Sequence, residues 1–318
     1  MSHPSAGLPD IQKTKDLRNV ALYQVGVCGV RLPVRLKRRE GSSFTLCSTA
    51  EFELSCMVPA EVKGTHMSRF TEVLNQFVGA EMEFSGQQLR ALLDKLSEVL
   101  ESPVVHVRMV ADYFINQPAP VSGRHGIAPL KVVLEGERDL GIGENDSEML
   151  PVYSYVTGID IEGKTCCPCS REISEYDPAT GKGKGAHAQR GRSQIRVFHS
   201  PFQAPSFLWF EDLVEIAWQA YSSPVYSVLK RVDEKHVTEV AYGNPKFVED
   251  VSRDLIVGLR ELGGQLDEVS GFQVRVENAE SIHYHNAYAV TREARNPLHG
   301  VCDGVELWGS SFGAIYPF

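Results

Sequence analysis

No stretch of this 318-residue sequence stays apolar for the ~18–20 residues that a membrane helix needs. Its opening, MSHPSAGLPDIQKTKD, has neither the basic start nor the apolar run of a secretory signal, so a cytoplasmic protein is expected. Positive charge is in the minority: 32 Lys and Arg stand against 41 Asp and Glu, a formal charge of -9. That balance argues against nucleic acid as a partner, because non-specific binding there relies on clustered cations. An anionic small substrate is not excluded, since a local pocket can still be basic. Cysteine is sparse and odd in number, seven in all, with three inside four positions. Without export signals, that pattern reads as reduced thiols with chemistry to do and not as a disulfide framework. What remains is an ordinary composition, 42% hydrophobic and 23% charged, sufficient for a real core and for two domains.

Residues 1–18 read as a loose arm. β-Branched and apolar residues dominate 19–36, a polar break follows at 37–42, and a second such run spans 43–58, predicting a long antiparallel hairpin. The period then changes. Phe70, Val73, Leu74 and Phe77 fall at helical spacing, as do Leu89, Leu92, Leu93, Leu96 and Leu100, with Ser85 as the expected cap of the second helix. Extended runs at 103–116 and 128–137 close the first half. The second half repeats the order, with strands at 151–162 and 193–199, helices at about 210–221 and 245–262, and strands at 271–278 and 285–292. This doubled strand–strand–helix–helix–strand–strand order predicts an α+β fold of two modules, 19–145 and 146–295, followed by a tail over 296–318. Antiparallel sheets with helices on one face leave other surfaces to cover, and oligomerisation covers them economically.

The densest local chemistry is Cys166-Cys167-Pro168-Cys169-Ser170. No second cysteine pair exists, because Cys28, Cys47, Cys56 and Cys302 are isolated, so a closed four-cysteine zinc site is not expected. A Cys-Pro-Cys turn can instead offer one thiolate to a metal and keep the other for proton transfer or attack, or simply pack in a tight turn. His187 follows shortly after. On a predicted strand at 280–285, His283 and His285 would share one face and Tyr284 the other. Asp233, Glu234, Lys235 and Glu239 form a third cluster, and Glu249 and Asp250 a fourth, early in a helix where the dipole alone favours acids. Together these supply Cys, His and Glu, the ligand types of an open catalytic metal site, and favour a metallohydrolase. Lys63-Gly64-Thr65-His66-Met67-Ser68-Arg69-Phe70 sits at a strand-to-helix junction whose N–H groups and cations could meet an anion, or could be an ordinary helix start. The Gly/Lys stretch at 177–186 lacks the spacing of a P-loop and reads as a surface loop.

These same residues resemble a known family. Leu8-Pro9-Asp10-Ile11-Gln12, the KGTHMSRF stretch at 63–70, Cys167-Pro168-Cys169-Ser170 and Gly185-Ala186-His187 are similar to GTP cyclohydrolase I of the type IB branch. So are Leu229-Lys230-Arg231, Asp233-Glu234-Lys235, Val237-Thr238-Glu239, Asn244-Pro245, Phe247-Val248-Glu249-Asp250 and Glu280-Ser281-Ile282-His283, in order along nearly the whole chain. The resemblance implies tandem tunnelling-fold modules in a homotetramer with active sites between subunits. It also implies the conversion of GTP and water to 7,8-dihydroneopterin triphosphate and formate on the way to folate, with a divalent metal, Mn2+, Zn2+ or Fe2+.

By that resemblance Cys167, Glu234 and His283 are metal ligands, Cys169 is a second thiol, and His187 lies near the metal or moves protons. Glu249 anchors the guanine, with Glu280 as the alternative, and Lys63, Arg69 and Lys230 meet the triphosphate. The chain departs from the family pattern in the loop Asp177–Lys184, in Cys166 as an adjacent thiol, and in the long tail after Thr291. Two other readings use the same residues. A tunnelling-fold nitrile reductase would need its cysteine and a nicotinamide but no metal set, and a metal-binding protein would bind metal without turnover.

Overall fold

The two apolar runs near the N-terminus pair as predicted. The computed structural model describes residues 9–36, 39, 47–78, 83–140, 150–175, 179, 185–199, 208–266, 269–296 and 300–302. In it β1 (Leu22–Leu36) runs antiparallel to β2 (Cys47–Val58), with Leu32 opposite Ala50 and Val34 opposite Ser48. Then come α1 (Met67–Phe77), β3 (Glu83–Phe84), α2 (Gly86–Leu100), β4 (Val104–Asn116), β5 (Ile127–Asp139) and β6 (Val152–Cys166). The chain continues through α3 (Pro168–Glu175), β7 (Ala188–His199), α4 (Phe210–Ala220), β8 (Ser223–Pro224), α5 (Arg231–Gly243) and α6 (Val248–Gly263). It closes with β9 (Val269–Ala279), β10 (Ala287–Asn296) and β11 (Gly300–Cys302). The fold is α+β, largely antiparallel strands, with the short β3 parallel to β1, and helices on one side.

The residues group into two compact units that are not consecutive stretches. Of the described residues, the first holds those within 9–36, 47–110 and 134–155, and the second holds those within 111–133 and from 156 on, together with Arg39. In the first unit the strand order runs β3-β1-β2-β4. The leucines of α2 make the stripe that their spacing predicts: Leu89, Leu92, Leu93 and Leu96 are at most 1% exposed, each burial stabilising by roughly 1.5–3 kcal/mol. The helix comes so close to β5 that a Cβ on Gly136 would lie 2.9 Å from Leu93 Cδ1.

In the second unit the order is β11-β10-β9-β7-β6, with β8 on β6. Ile195 faces Val274 across β7 and β9, and Ser193 faces Val276. Helix α6 covers this surface with Val251, Leu255 and Leu259, all buried and spaced one turn apart. Arg260 on the same helix grips Glu293 of β10 through Nε at 2.9 Å and Nη2 at 2.6 Å.

Three expectations need correction. Ser85 does occupy the cap position of α2, but its hydroxyl bonds the side chain of Gln88 and no helix N–H. The helix expected from 245 begins at Val248, where Asp250 Oδ2 accepts from the Phe247 N–H at 2.9 Å. Residues 281–286 are a bend between β9 and β10 and no strand, because β9 ends at Ala279. Helices α3 and α5 were not anticipated, because α3 has only eight residues and α5 buries just Asp233, Val237 and Ala241. The loop Asp177–Lys184, apart from Ala179, lies outside the described residues, as do most of the tail and the polar break at 37–42.

Candidate active site

The site is built at the end of β6. Cys167-Pro168-Cys169-Ser170 turns the chain from strand into α3, and Pro168 suits the first helical position because its missing N–H would find no partner there. Cys167 takes the capping place. Its carbonyl accepts from the Arg171 N–H at 3.2 Å, and its sulfur lies 3.5 Å from the Ser170 N–H. A sulfur thus stands where a hydroxyl or carboxylate oxygen usually caps a helix. The turn is pinned from behind: Ser222 Oγ accepts from the Cys166 N–H at 3.1 Å, and the Lys246 N–H donates to the Cys166 carbonyl at 2.9 Å. Cys166 itself is 3% exposed, and burial pushes its thiol up, so it packs and is no ready substitute for Cys167.

His187, just before β7, is joined to this turn. The Cys167 N–H donates to the His187 carbonyl at 3.0 Å. The Ser170 hydroxyl donates to the Cys167 carbonyl at 3.2 Å and accepts from the His187 N–H, also at 3.2 Å. The imidazole Nδ1 lies 2.9 Å from Gln189 Oε1 and 3.5 Å from Ser281 Oγ, and Gln189 Nε2 lies 3.4 Å from Glu280 Oε1. The structure therefore gathers Cys167, Ser170, His187, Gln189, Glu280 and Ser281, all in the second unit. Gln189 is the member that sequence reasoning missed. Its signal was its place two residues after His187 at the start of a strand, on the same face.

Cys169 belongs to the same turn, while Glu234, Glu249, Lys230 and His283 lie on other segments of the second unit. Cys169, Glu234, Glu249, Lys230 and His283 are exposed. The rings of His283 and His285 stack at 5.0 Å, while Tyr284 is wholly exposed, so the two histidines do share a side, through a bend. Glu234 lies early in α5, whose start is fixed by its neighbour Asp233. Asp233 Oδ1 accepts from the N–H groups of Val121 at 2.9 Å and Ser122 at 2.8 Å, and Oδ2 accepts from the Ser122 hydroxyl at 2.7 Å and the Lys230 N–H at 2.8 Å. Burial opposes the charge of Asp233, but these donors outweigh it and hold the carboxyl well below its usual range. Lys63 and Arg69 belong to the first unit, where Lys63 is exposed and Arg69 Nη1 donates to the Val99 carbonyl at 3.0 Å. Among the described residues no three His, Cys, Asp or Glu side chains are grouped to hold a metal ion. The donor types of Cys167, Glu234 and His283 nonetheless suit a borderline divalent cation.

Comparison with known proteins adds what geometry cannot. A family model described as type I GTP cyclohydrolase folE2 matches residues 8–289. GTP cyclohydrolase FolE2 of Dictyoglomus thermophilum is 36% identical over 280 residues, which is 88% of this chain and 96% of that protein. GTP cyclohydrolase FolE2 of Thermosipho africanus is 37% identical over 281 residues, again 88% and 96%. Among solved structures, a highly active mutant of urate oxidase from Bacillus sp. TB-90 matches with a TM-score of 0.50 at 7% identity, covering 86% of this chain and 100% of its own. That likeness concerns the fold alone, which is a tunnelling fold.

Proposed function

This chain belongs to the type I GTP cyclohydrolase family, FolE2, and from that premise we propose how it turns GTP and water into 7,8-dihydroneopterin triphosphate and formate, the entry to folate biosynthesis. The observation that carries the mechanism is the junction of Cys167 and His187 through their backbones and the Ser170 hydroxyl. Water attacks C8 of guanine, the imidazole ring opens, and formate leaves. Each of those steps moves a proton, and a positioned side chain accelerates such transfers by about 10²–10⁴. His187 carries these protons, with Cys167 and Cys169 as the thiols of the same turn. The carboxylate of Glu249, exposed on one chain, pairs with the N–H edge of guanine, and once enclosed in the assembled site it rejects bases that leave it unmatched. Lys63, Arg69 and Lys230 supply cations for the triphosphate.

A divalent ion, manganese, zinc or iron, would be held by Cys167, Glu234 and His283. When bound it would supply Lewis acidity toward the attacking water. We place the chain in a cytoplasmic homotetramer with sites between subunits. The exposure of Cys169, Glu234, Glu249 and His283 on one chain supports that reading. No helix among the described residues is long and apolar enough to cross a membrane.

The test is GTP turnover by metal-stripped protein, followed through formate and the fluorescence of oxidised neopterin, with manganese, iron or zinc restored. Metal-dependent formate release that Cys167→Ala abolishes is the expected result. Metal binding without formate under any ion would overturn the reading. Turnover that survives complete metal removal would leave cysteine chemistry in its place.

A further inference from the structure

We infer that Gln189 is a positioning residue that fixes the tautomer of His187, and that Glu280 in turn fixes the orientation of Gln189. The consequence for catalysis rests on the reading of His187 as the proton carrier. His187 Nδ1 is 2.9 Å from Gln189 Oε1, and Gln189 Nε2 is 3.4 Å from Glu280 Oε1. A carboxylate only accepts, so the amide turns its NH2 group toward Glu280. Its oxygen then faces the imidazole, and that oxygen also only accepts. The proton of a neutral His187 must therefore sit on Nδ1, and Nε2 keeps its lone pair. Ser281 Oγ, 3.5 Å from the same Nδ1, can serve as a second acceptor. The opposite tautomer would present an N–H at Nε2 and could not take a proton there.

The backbone makes this arrangement available. Both polar backbone groups of His187 are already engaged, the carbonyl by the Cys167 N–H and the N–H by Ser170 Oγ. What is left to set the ring is its side-chain contacts. Gln189, two residues on at the start of β7, lies on the same face as His187. Glu280 reaches it from the end of β9, the strand antiparallel to β7, where Arg190 faces Ala279. The arrangement also separates the two glutamates considered for guanine: Glu280 is engaged with Gln189, which leaves Glu249 for the base.

The experiment is solid-state NMR of sedimented full-length protein carrying 15N-labelled histidine, metal-free and zinc-loaded, alongside steady-state turnover. The His187 signals are identified by their disappearance in His187→Asn. The wild type should show His187 protonated at Nδ1. Gln189→Leu should lose that preference and lower kcat by about 10- to 100-fold while KM for GTP changes less than about 2-fold. Combining Gln189→Glu with Glu280→Gln exchanges the two groups and keeps an acceptor on Nδ1. It should restore both the Nδ1–H signal and most of kcat, which a merely structural role would not predict. An Nε2-protonated His187 in the wild type, or an unchanged tautomer and kcat in Gln189→Leu, would overturn the inference. If Gln189→Leu does not fold, Gln189→Glu alone decides, since loss of Nδ1–H despite a retained acceptor overturns it equally. Full turnover by His187→Asn would instead overturn His187 as proton carrier, while the wild-type signal still decides what Gln189 holds.

Discussion

The ring of Tyr221 lies flat against Gly163: a Cβ on that glycine would come within 2.1 Å of Tyr221 Cδ2. Gly191 on the neighbouring strand gives the same ring room, with Tyr221 Cε1 2.5 Å from where its Cβ would be. The phenol is 1% exposed, and its oxygen is 2.7 Å from Ser193 Oγ. This seat matters to the site because the next residue, Ser222, holds the Cys166 N–H and the Tyr221 carbonyl accepts from Asn244 Nδ2 at 3.2 Å. Gly163→Ala should therefore destabilise the protein by about 1–3 kcal/mol, as overpacking does. It should also lower kcat, because the loop that pins the cysteine turn must move. Denaturant unfolding and turnover measured on the same preparation check both effects.

The Ser170 side chain bonds the backbones of both Cys167 and His187. Ser170→Ala leaves the His187 N–H without its acceptor, a loss of about 1–3 kcal/mol for a buried group and less for this half-buried one. Turnover should fall about 10-fold or more, with KM for GTP little changed, as when a partner that orients a functional group is removed. A fall confined to KM would place Ser170 in substrate binding instead.

Asp233 gives the fold an acid-sensitive joint. Its folded carboxyl titrates below the ordinary 3.8, so the charge it keeps stabilises the protein above that pH. The stability is lost as pH falls from there through the folded value. Asp233→Asn should melt at lower temperature than the wild type at neutral pH, and the difference should shrink below pH 3.8. Melting curves over an acid series read this directly.

His106 acts in the neighbouring pH window. Burial pushes its imidazole down to about 4, with Arg108 adding to the effect and Glu53 opposing it. Between the ordinary 6.5 and about 4 the unfolded chain takes up a proton that the folded chain refuses. Stability should then fall with pH across that window, by up to about 3 kcal/mol, and this contribution should be flat on either side. Replacing the ring with an apolar side chain, His106→Leu, should remove that slope in a urea titration repeated at several pH values.

The hairpin of β1 and β2, the leucine stripe of α2 and the apolar rows of α4 and α6 were legible in the sequence because each depends on a period that a strand or a helix imposes locally. Cys167, His187 and Glu280 could also be singled out, since few residue types do metal or proton chemistry. His283 and His285 were expected to share a side as alternate residues of a strand, and they do so as stacked rings in a bend. Their spacing was readable, but the conformation was not.

What only the tertiary structure decided are contacts between residues far apart in the chain. Gln189 meets Glu280 across 91 positions, and Asp233 meets Val121 across 112. Whether His187 joins the cysteine turn depends on how the end of β6 and the start of β7 are held, and the ring of Tyr221 fits there only because two separate strands place glycines beneath it. By itself the sequence determined the longer apolar strands and helices, the family and the chemical types at the site, since composition and local period carry those. The pairing that orients His187 is a property of packed strands, and no local pattern encodes which side chains the packing brings within hydrogen-bond reach.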